Sequence, residues 1–216
     1  MTKSQNGNDH EPPEWARSLT LAAVGRYPQS GPPPQQTGTP REAAVLVLLT
    51  NGPNGVEVLL TERAAGLRSY PGRLSFPGGS RDPRDADPAG TALREAHEEI
   101  GLDQASVRIL GSLPTFRDPQ GKFIVTPVLA WSACPDFTGP VNPDEVAKVH
   151  QVAVRDLSAA HGTGQRPSQA CSSDGSTVQV SQLGEMTAAI IDAVAALLSS
   201  PKPNDSNNIH PEPPRD

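Results

Sequence analysis

Arg94-Glu95-Ala96-His97-Glu98-Glu99-Ile100-Gly101-Leu102 sets three carboxylates at i, i+3 and i+4. At about 100° per residue, Glu95, Glu98 and Glu99 fall on one flank of a single helical turn. Like charges so close together destabilise a helix unless a cation compensates them. Carboxylate and phosphate oxygens are the ligands Mg2+ prefers, so the pattern points to a divalent cation holding a phosphorylated substrate. The helix also has marked ends: Asp87 suits an N-cap, Pro88 the first helical position, and Gly101 a stop after Ile100.

Upstream, 63–79 reads as a loop rich in glycine and arginine. Before it, AAVLVLL (43–49) predicts a buried central strand, NGPNG (51–55) a turn, and VEVLLTE (56–62) a second strand in a hairpin-like unit. Further upstream, 15–24 fits a short helix, and SGPPPQQTGTP (30–40) a turn-rich connector that cannot continue it. Downstream, strands are expected near 107–116, at 123–131 and at 146–154, with a turn at 118–121. A short helical turn at 155–160 and a polar loop over 161–176 follow. TAAIIDAVAALL (187–198) predicts a helix that is apolar over most of its surface and hence buried. Strands in the middle with helices on either side in sequence predict an α/β fold, a mixed sheet sandwiched between helices. Residues 1–14 and the tail 201–216 read as disordered, and 15–199 as a single domain with its core at 41–198.

The 216 residues carry a net charge of -6, and no basic patch is interleaved with aromatics, which argues against a nucleic-acid partner. No apolar run approaches the roughly 20 residues of a membrane-spanning helix, and 1–14 has no apolar signal region. The two cysteines, Cys134 and Cys171, have no ligand partner nearby in sequence and read as reduced thiols of a cytoplasmic protein.

The chain resembles a Nudix hydrolase. That family's box is a glycine, five residues, a glutamate, seven residues, then R-E-U-x-E-E-x-G-U with U aliphatic. Gly79 opens it here, and Arg94 to Leu102 closes it, with Ala96 as the small apolar residue. The middle departs: Asp85 stands in the place of the first glutamate, and eight residues rather than seven separate it from Arg94, which weakens the case for a role of that acid. A one-residue expansion of this kind is similar to the coenzyme A pyrophosphatase branch. That branch also has an upstream signature, LLTxR-[SA]-x3-R-x3-G-x3-FPGG. Leu59-Leu60-Thr61-Glu62-Arg63-Ala64, Arg68, Gly72 and Phe76-Pro77-Gly78-Gly79 match it at every fixed position.

The resemblance implies a Nudix-type α/β/α sandwich around a central mixed sheet. It implies that Glu95, Glu98 and Glu99, with the Gly79 carbonyl, hold Mg2+ or Mn2+, and that Gly78 and Gly79 let the loop backbone approach the diphosphate. Arg94 resembles the family arginine that pairs with a metal-binding glutamate. Arg63 and Arg68 lie in the loop associated with substrate selection, where each could contact substrate or brace the loop through a carboxylate. Phe76 could be a core plug or an adenine platform. The general base is open between Glu98, the stronger choice, and Glu145, which resembles a glutamate common before this strand in the family. His97 and His150 read as structural. Relatives often read Trp-Gly-x-Thr-Ala before the last helix and V-F-x-V-P-L in the strand before it. This chain has Leu183-Gly184-Glu185-Met186-Thr187-Ala188 and Val149-His150-Gln151-Val152-Ala153-Val154, changes that could reshape the distal pocket.

The function so implied is metal-dependent hydrolysis of the 5′-diphosphate of coenzyme A, releasing adenosine 3′,5′-bisphosphate and 4′-phosphopantetheine. The alternatives are a Nudix diphosphatase acting on NADH, ADP-ribose or a related substrate, and a non-catalytic nucleotide-binding regulator. The complete acid turn speaks against a regulator. Members of the superfamily often dimerise, which leaves a homodimer open.

Overall fold

The computed structural model describes residues 11–22, 39–118, 120–159 and 165–199. Of the segments expected to be disordered, 1–10 of the N-terminal 1–14 and all of 201–216 lie outside them, as does most of the 30–40 connector, while 11–14 are described and Glu14 opens the first helix. In chain order the elements are α1 (Glu14–Ala22), β1 (Arg41–Gly52), β2 (Gly55–Arg63), β3 (Leu74–Ser75), β4 (Gly78–Ser80) and α2 (Pro88–Ile100). Then come β5 (Arg108–Ser112), β6 (Phe116–Arg117), β7 (Phe123–Trp131), β8 (Val146–Ala153), α3 (Val154–Leu157), β9 (Gln169–Cys171), β10 (Thr177–Gln179) and α4 (Glu185–Ser199).

β1 organises the sheet. One edge pairs in parallel with β7 from Arg41↔Phe123 to Leu49↔Trp131. The other edge is shared between two antiparallel partners, β4 along Ala43–Val45 and β2 along Leu49–Gly52. β8 and β3 add to β2, and β5 and β6 to β7, giving the mixed sheet. A parallel β1–β7 pair needs a crossover connection, and the segment carrying α2 supplies it.

The continuous apolar run of β1 follows from burial on both faces. Leu46 and Leu48 face a core built with Leu59, Val128 and the Ala92, Ala96 and Ile100 side of α2. Val47 and Leu49 face the larger core with Leu60, Trp131, Leu19 of α1 and Ile190, Ile191 and Val194 of α4. Each fully buried Leu or Ile stabilises the fold by about 1.5–3 kcal/mol. The small Ala92 and Ala96 let α2 lie close to the sheet, which brings its acidic flank to β4. The sandwich expected from the sequence is therefore present.

Two local expectations are corrected. The single strand near 107–116 is two strands, because the chain leaves the ladder around Pro114, which has no N–H to donate, after Leu113 N has donated to the Pro127 carbonyl at 2.9 Å. The supposed loop over 161–176 contains β9, which pairs with β10 around a turn capped by Asp174, whose carboxylate accepts from Ser176 N at 2.9 Å. Ala170 and Val178 are the buried residues of these short polar strands, too few to give a visible alternation. Cys134 and Cys171 are exposed and form no disulfide with each other. Among the described residues no helix is long and apolar enough to cross a membrane.

Candidate active site

α2 begins and ends as its sequence dictates. The Asp87 carboxylate accepts from Gly90 N at 2.8 Å, and Gly101 closes the helix in the left-handed conformation at φ 65°. His97 is exposed, with Nδ1 3.0 Å from the carbonyl of Leu102, so it serves the helix end rather than the acid flank.

Arg94 is the hub of that flank. Its Nε and Nη2 donate to the two oxygens of Asp85, both at 3.0 Å, and Nη2 also donates to the carbonyl of Ser80 at 3.0 Å. Its Nη1 lies 2.9 Å from Glu95 and 3.2 Å from Glu98. The fork thus ties the loop before α2, β4 and two of the three box acids together.

Asp85 is the residue that sequence reasoning undervalued. It is buried and accepts from Arg94, from Asp82 N at 2.9 Å and from the Thr91 hydroxyl at 2.9 Å. The Arg94 guanidinium first, and then the Asp82 N–H and the Thr91 hydroxyl, hold its carboxyl well below the usual carboxylate range. An aspartate is one methylene shorter than the glutamate of the family box, and here it meets Arg94 from a loop one residue longer. That compensation was the available signal.

We expect Asp85→Asn to lower Tm and to reduce kcat by about 10–100-fold, since an unanchored Arg94 orients Glu95 and Glu98 poorly. A carboxyl whose native value is depressed stabilises fully above its unfolded value near 3.9 and loses that contribution as pH falls below it. The Tm gap between wild type and Asp85→Asn should therefore be constant from about pH 8 to 5 and narrow below about pH 4. A gap that instead widens on acidification would contradict this role.

Glu95 and Glu99 are the inner acids. Burial, more than any charge, raises Glu95 above its ordinary value, with Arg94 opposing. Burial first, and then the charges of Glu95 and Glu145, push Glu99 up to about 8, while a hydrogen bond from Gly78 N–H and the charge of Arg63 oppose this. Glu99 Oε2 is buried without any hydrogen-bond partner. Glu98 is the outer acid, its side chain 58% exposed. Among the described residues no three acidic, histidine or cysteine side chains form a closed cation cage as they stand.

β4 supplies the opposing wall. A Cβ on Gly79 would lie 2.6 Å from the Glu95 carboxylate, and one on Gly78 would lie 2.4 Å from the Ala44 carbonyl. These two approaches predict different failures. Gly78→Ala collides with fixed backbone and should destabilise the fold by roughly 1–3 kcal/mol. Gly79→Ala meets a movable side chain, so Tm should change little while activity falls through displacement of Glu95. Thermal melts and steady-state rates of both variants check this; equal Tm losses would refute the distinction.

Glu145 is exposed and stands in the turn capped by Asn142, whose carbonyl accepts from Glu145 N at 3.0 Å. The Glu145 carbonyl accepts from Ala64 N at 2.9 Å, which sets it beside Arg63 at the end of β2. Glu145 and Arg63 are thus brought to Glu99, each acting on it electrostatically. Arg63 Nε also donates to the Ser69 carbonyl at 3.3 Å. Arg68 is exposed and is not brought to the acids. Phe76 is 3% exposed in the larger core, which makes it the plug rather than a platform. His150 is buried in β8, with Nε2 2.9 Å from Glu62.

The NUDIX domain family matches residues 40–170, a span that includes every strand and helix of this site. The chain belongs to the Nudix family. It is similar to an uncharacterized Nudix hydrolase, NudL, of Photorhabdus laumondii subsp. laumondii: 38% identical over 143 residues, or 64% of this chain and 75% of that protein. NudL of Pectobacterium atrosepticum is 42% identical over 112 residues, 52% of this chain, and the chain spans 57% of that protein's length. The crystal structure of a NUDIX hydrolase from Alicyclobacillus acidocaldarius shares the fold, with a TM-score of 0.50 at 22% identity over 74% of this chain and 93% of that one.

A divalent cation suits the donor set of this Nudix site. Its inner acids are oxygen donors that burial and mutual charge disfavour as anions, and one oxygen of Glu99 lacks a partner.

Proposed function

We propose that the chain is a Mg2+- or Mn2+-dependent diphosphatase that hydrolyses the 5′-diphosphate of coenzyme A to adenosine 3′,5′-bisphosphate and 4′-phosphopantetheine. The observation that carries this reading is the junction of two signatures. The loop that begins at Arg63 and ends at Gly78-Gly79 returns onto the acid turn, with Gly78 N–H bonded to Glu99 and Gly79 against Glu95.

Glu95, Glu98 and Glu99, with the Gly79 carbonyl, would hold the cation. When bound, it neutralises diphosphate charge and lowers the pKa of an attacking water. Glu98, the exposed acid, accepts the proton of that water, with Glu145 as the other base within electrostatic reach of the centre. Arg94 orients Glu95 and Glu98. Arg63 offers its guanidinium to the diphosphate oxygens from the cleft side.

The test is product identification by chromatography after incubation of the full chain with coenzyme A, with and without Mg2+. Release of the two named products only with metal supports the proposal. Intact coenzyme A after long incubation with bound metal would overturn it; coenzyme A that is bound yet uncleaved would favour the regulator, and turnover of NADH or ADP-ribose instead would favour the other diphosphatase reading.

A further inference from the structure

Beside the acid turn lies a cleft of about 500 Å³, formed by the 63–75 segment, the 118–123 turn and the start of α4. Its walls include Arg63, Tyr70, Arg73, Leu74, Phe123 and Met186. Arg63 belongs to both places, since it lines the cleft and its charge also acts on Glu99.

Arg73 is not in either signature. Its guanidinium lies over the Tyr70 ring, 4.6 Å from the centroid, and has no acidic partner among the described residues. Stacking occupies a face of the guanidinium and leaves its N–H edges to bind. Tyr70, about half exposed, has a φ of 56°, uncommon for a bulky side chain, and its hydroxyl accepts from Gln120 Nε2 at 2.6 Å. Phe123 carries Arg41 over its ring at 5.5 Å, and Arg41 does not line the cleft. Among the described residues neither acid of the cleft, Asp118 or Glu185, forms an ion pair with Arg63 or Arg73. Asp118 accepts from the backbone N–H groups of Gln120 and Phe123, and Glu185 sits exposed at the first position of α4.

An apolar, aromatic-walled cleft with two guanidiniums, neither in an ion pair with an acid of the cleft, suits a ligand that is aromatic at one end and anionic at the other. We infer that this cleft receives the nucleoside half of the substrate, its purine against Phe123 and Met186 and its phosphate on Arg73, an inference that rests on the diphosphatase reading above. The pantetheine half beyond the diphosphate is uncharged and linear, and gives two cations nothing to bind. Arg73 rather than the exposed Arg68 then distinguishes coenzyme A from its 3′-dephospho form.

The test titrates the full chain, with Mg2+ present, against AMP, adenosine 3′,5′-bisphosphate and 4′-phosphopantetheine by calorimetry. It compares wild type with Arg73→Ala and Phe123→Leu, the latter keeping apolar bulk while removing the ring. Arg73→Ala should raise Kd for adenosine 3′,5′-bisphosphate about ten- to a hundredfold. Phe123→Leu should raise Kd for both nucleotides at least about fivefold. Binding of 4′-phosphopantetheine should not change. A loss confined to phosphopantetheine, unchanged nucleotide affinity in both variants, or no nucleotide binding to wild type at millimolar concentration would each overturn the assignment. Nucleotide binding that responds to the variants in a protein that leaves coenzyme A intact would sink the substrate reading and keep the subsite. Hydrolysis of coenzyme A with variant-insensitive nucleotide binding would do the reverse.

Discussion

Glu98→Gln should reduce kcat about 10²–10⁴-fold at saturating Mg2+ while Tm stays near the wild-type value. The change keeps size and hydrogen-bonding capacity and removes the charge that holds the cation or accepts the water proton. Little in the fold depends on that charge. The side chain is 58% exposed and among the described residues pairs with Arg94 alone, at 3.2 Å, and Arg94 retains Asp85, Glu95 and the Ser80 carbonyl. Exposed isosteric changes of this kind alter stability by roughly 0.5 kcal/mol or less. Steady-state rates across a Mg2+ series, beside a thermal melt, separate the outcomes. A kcat near wild type would remove Glu98 from the chemistry and move the base to Glu95, Glu99 or Glu145.

Glu99→Gln should be as damaging to turnover, with the opposite signature in stability. In the metal-free protein Glu99 is half-buried beside Glu95 and Glu145, with its buried Oε2 unpartnered, an arrangement that costs the fold free energy. Above about pH 8, where Glu99 is ionised, the amide removes the like-charge contact, so the metal-free variant should there melt at the same temperature as wild type or higher. A ligand that binds only the native state raises Tm. Mn2+ should therefore stabilise wild type and have a much smaller effect on Glu99→Gln. The expected result is a variant that is no less stable, binds metal weakly and loses about 10²-fold or more in kcat. Equal Mn2+-dependent shifts in both proteins would place the cation elsewhere.

The sandwich was legible because its main elements carry strong local signals. β1 is continuously apolar, α2 has an N-cap, a proline at N1 and a stopping glycine, and α4 is apolar almost all round. The acids of α2 were legible for the same reason: a helix turns residue spacing into shared direction. What the spacing concealed was long-range. Asp85 reads as a defect in a motif until Arg94 and Thr91 close on it from the helix. Arg73 and Tyr70 carry no motif, and their importance arises only where the 63–75 segment meets the 118–123 turn and α4. Glu145 reached the site through register, because Arg63 pairs with Val146 across β2 and β8. The β9–β10 hairpin was missed since two buried residues cannot declare a period.

The most direct measurement is the ratio of kcat/KM values for coenzyme A, 3′-dephospho-coenzyme A, NADH and ADP-ribose, all with Mg2+ on one preparation of the full chain. A coenzyme A diphosphatase should favour coenzyme A over its dephospho form, and both over NADH and ADP-ribose. A strong preference for NADH or ADP-ribose over both coenzyme A forms would contradict it.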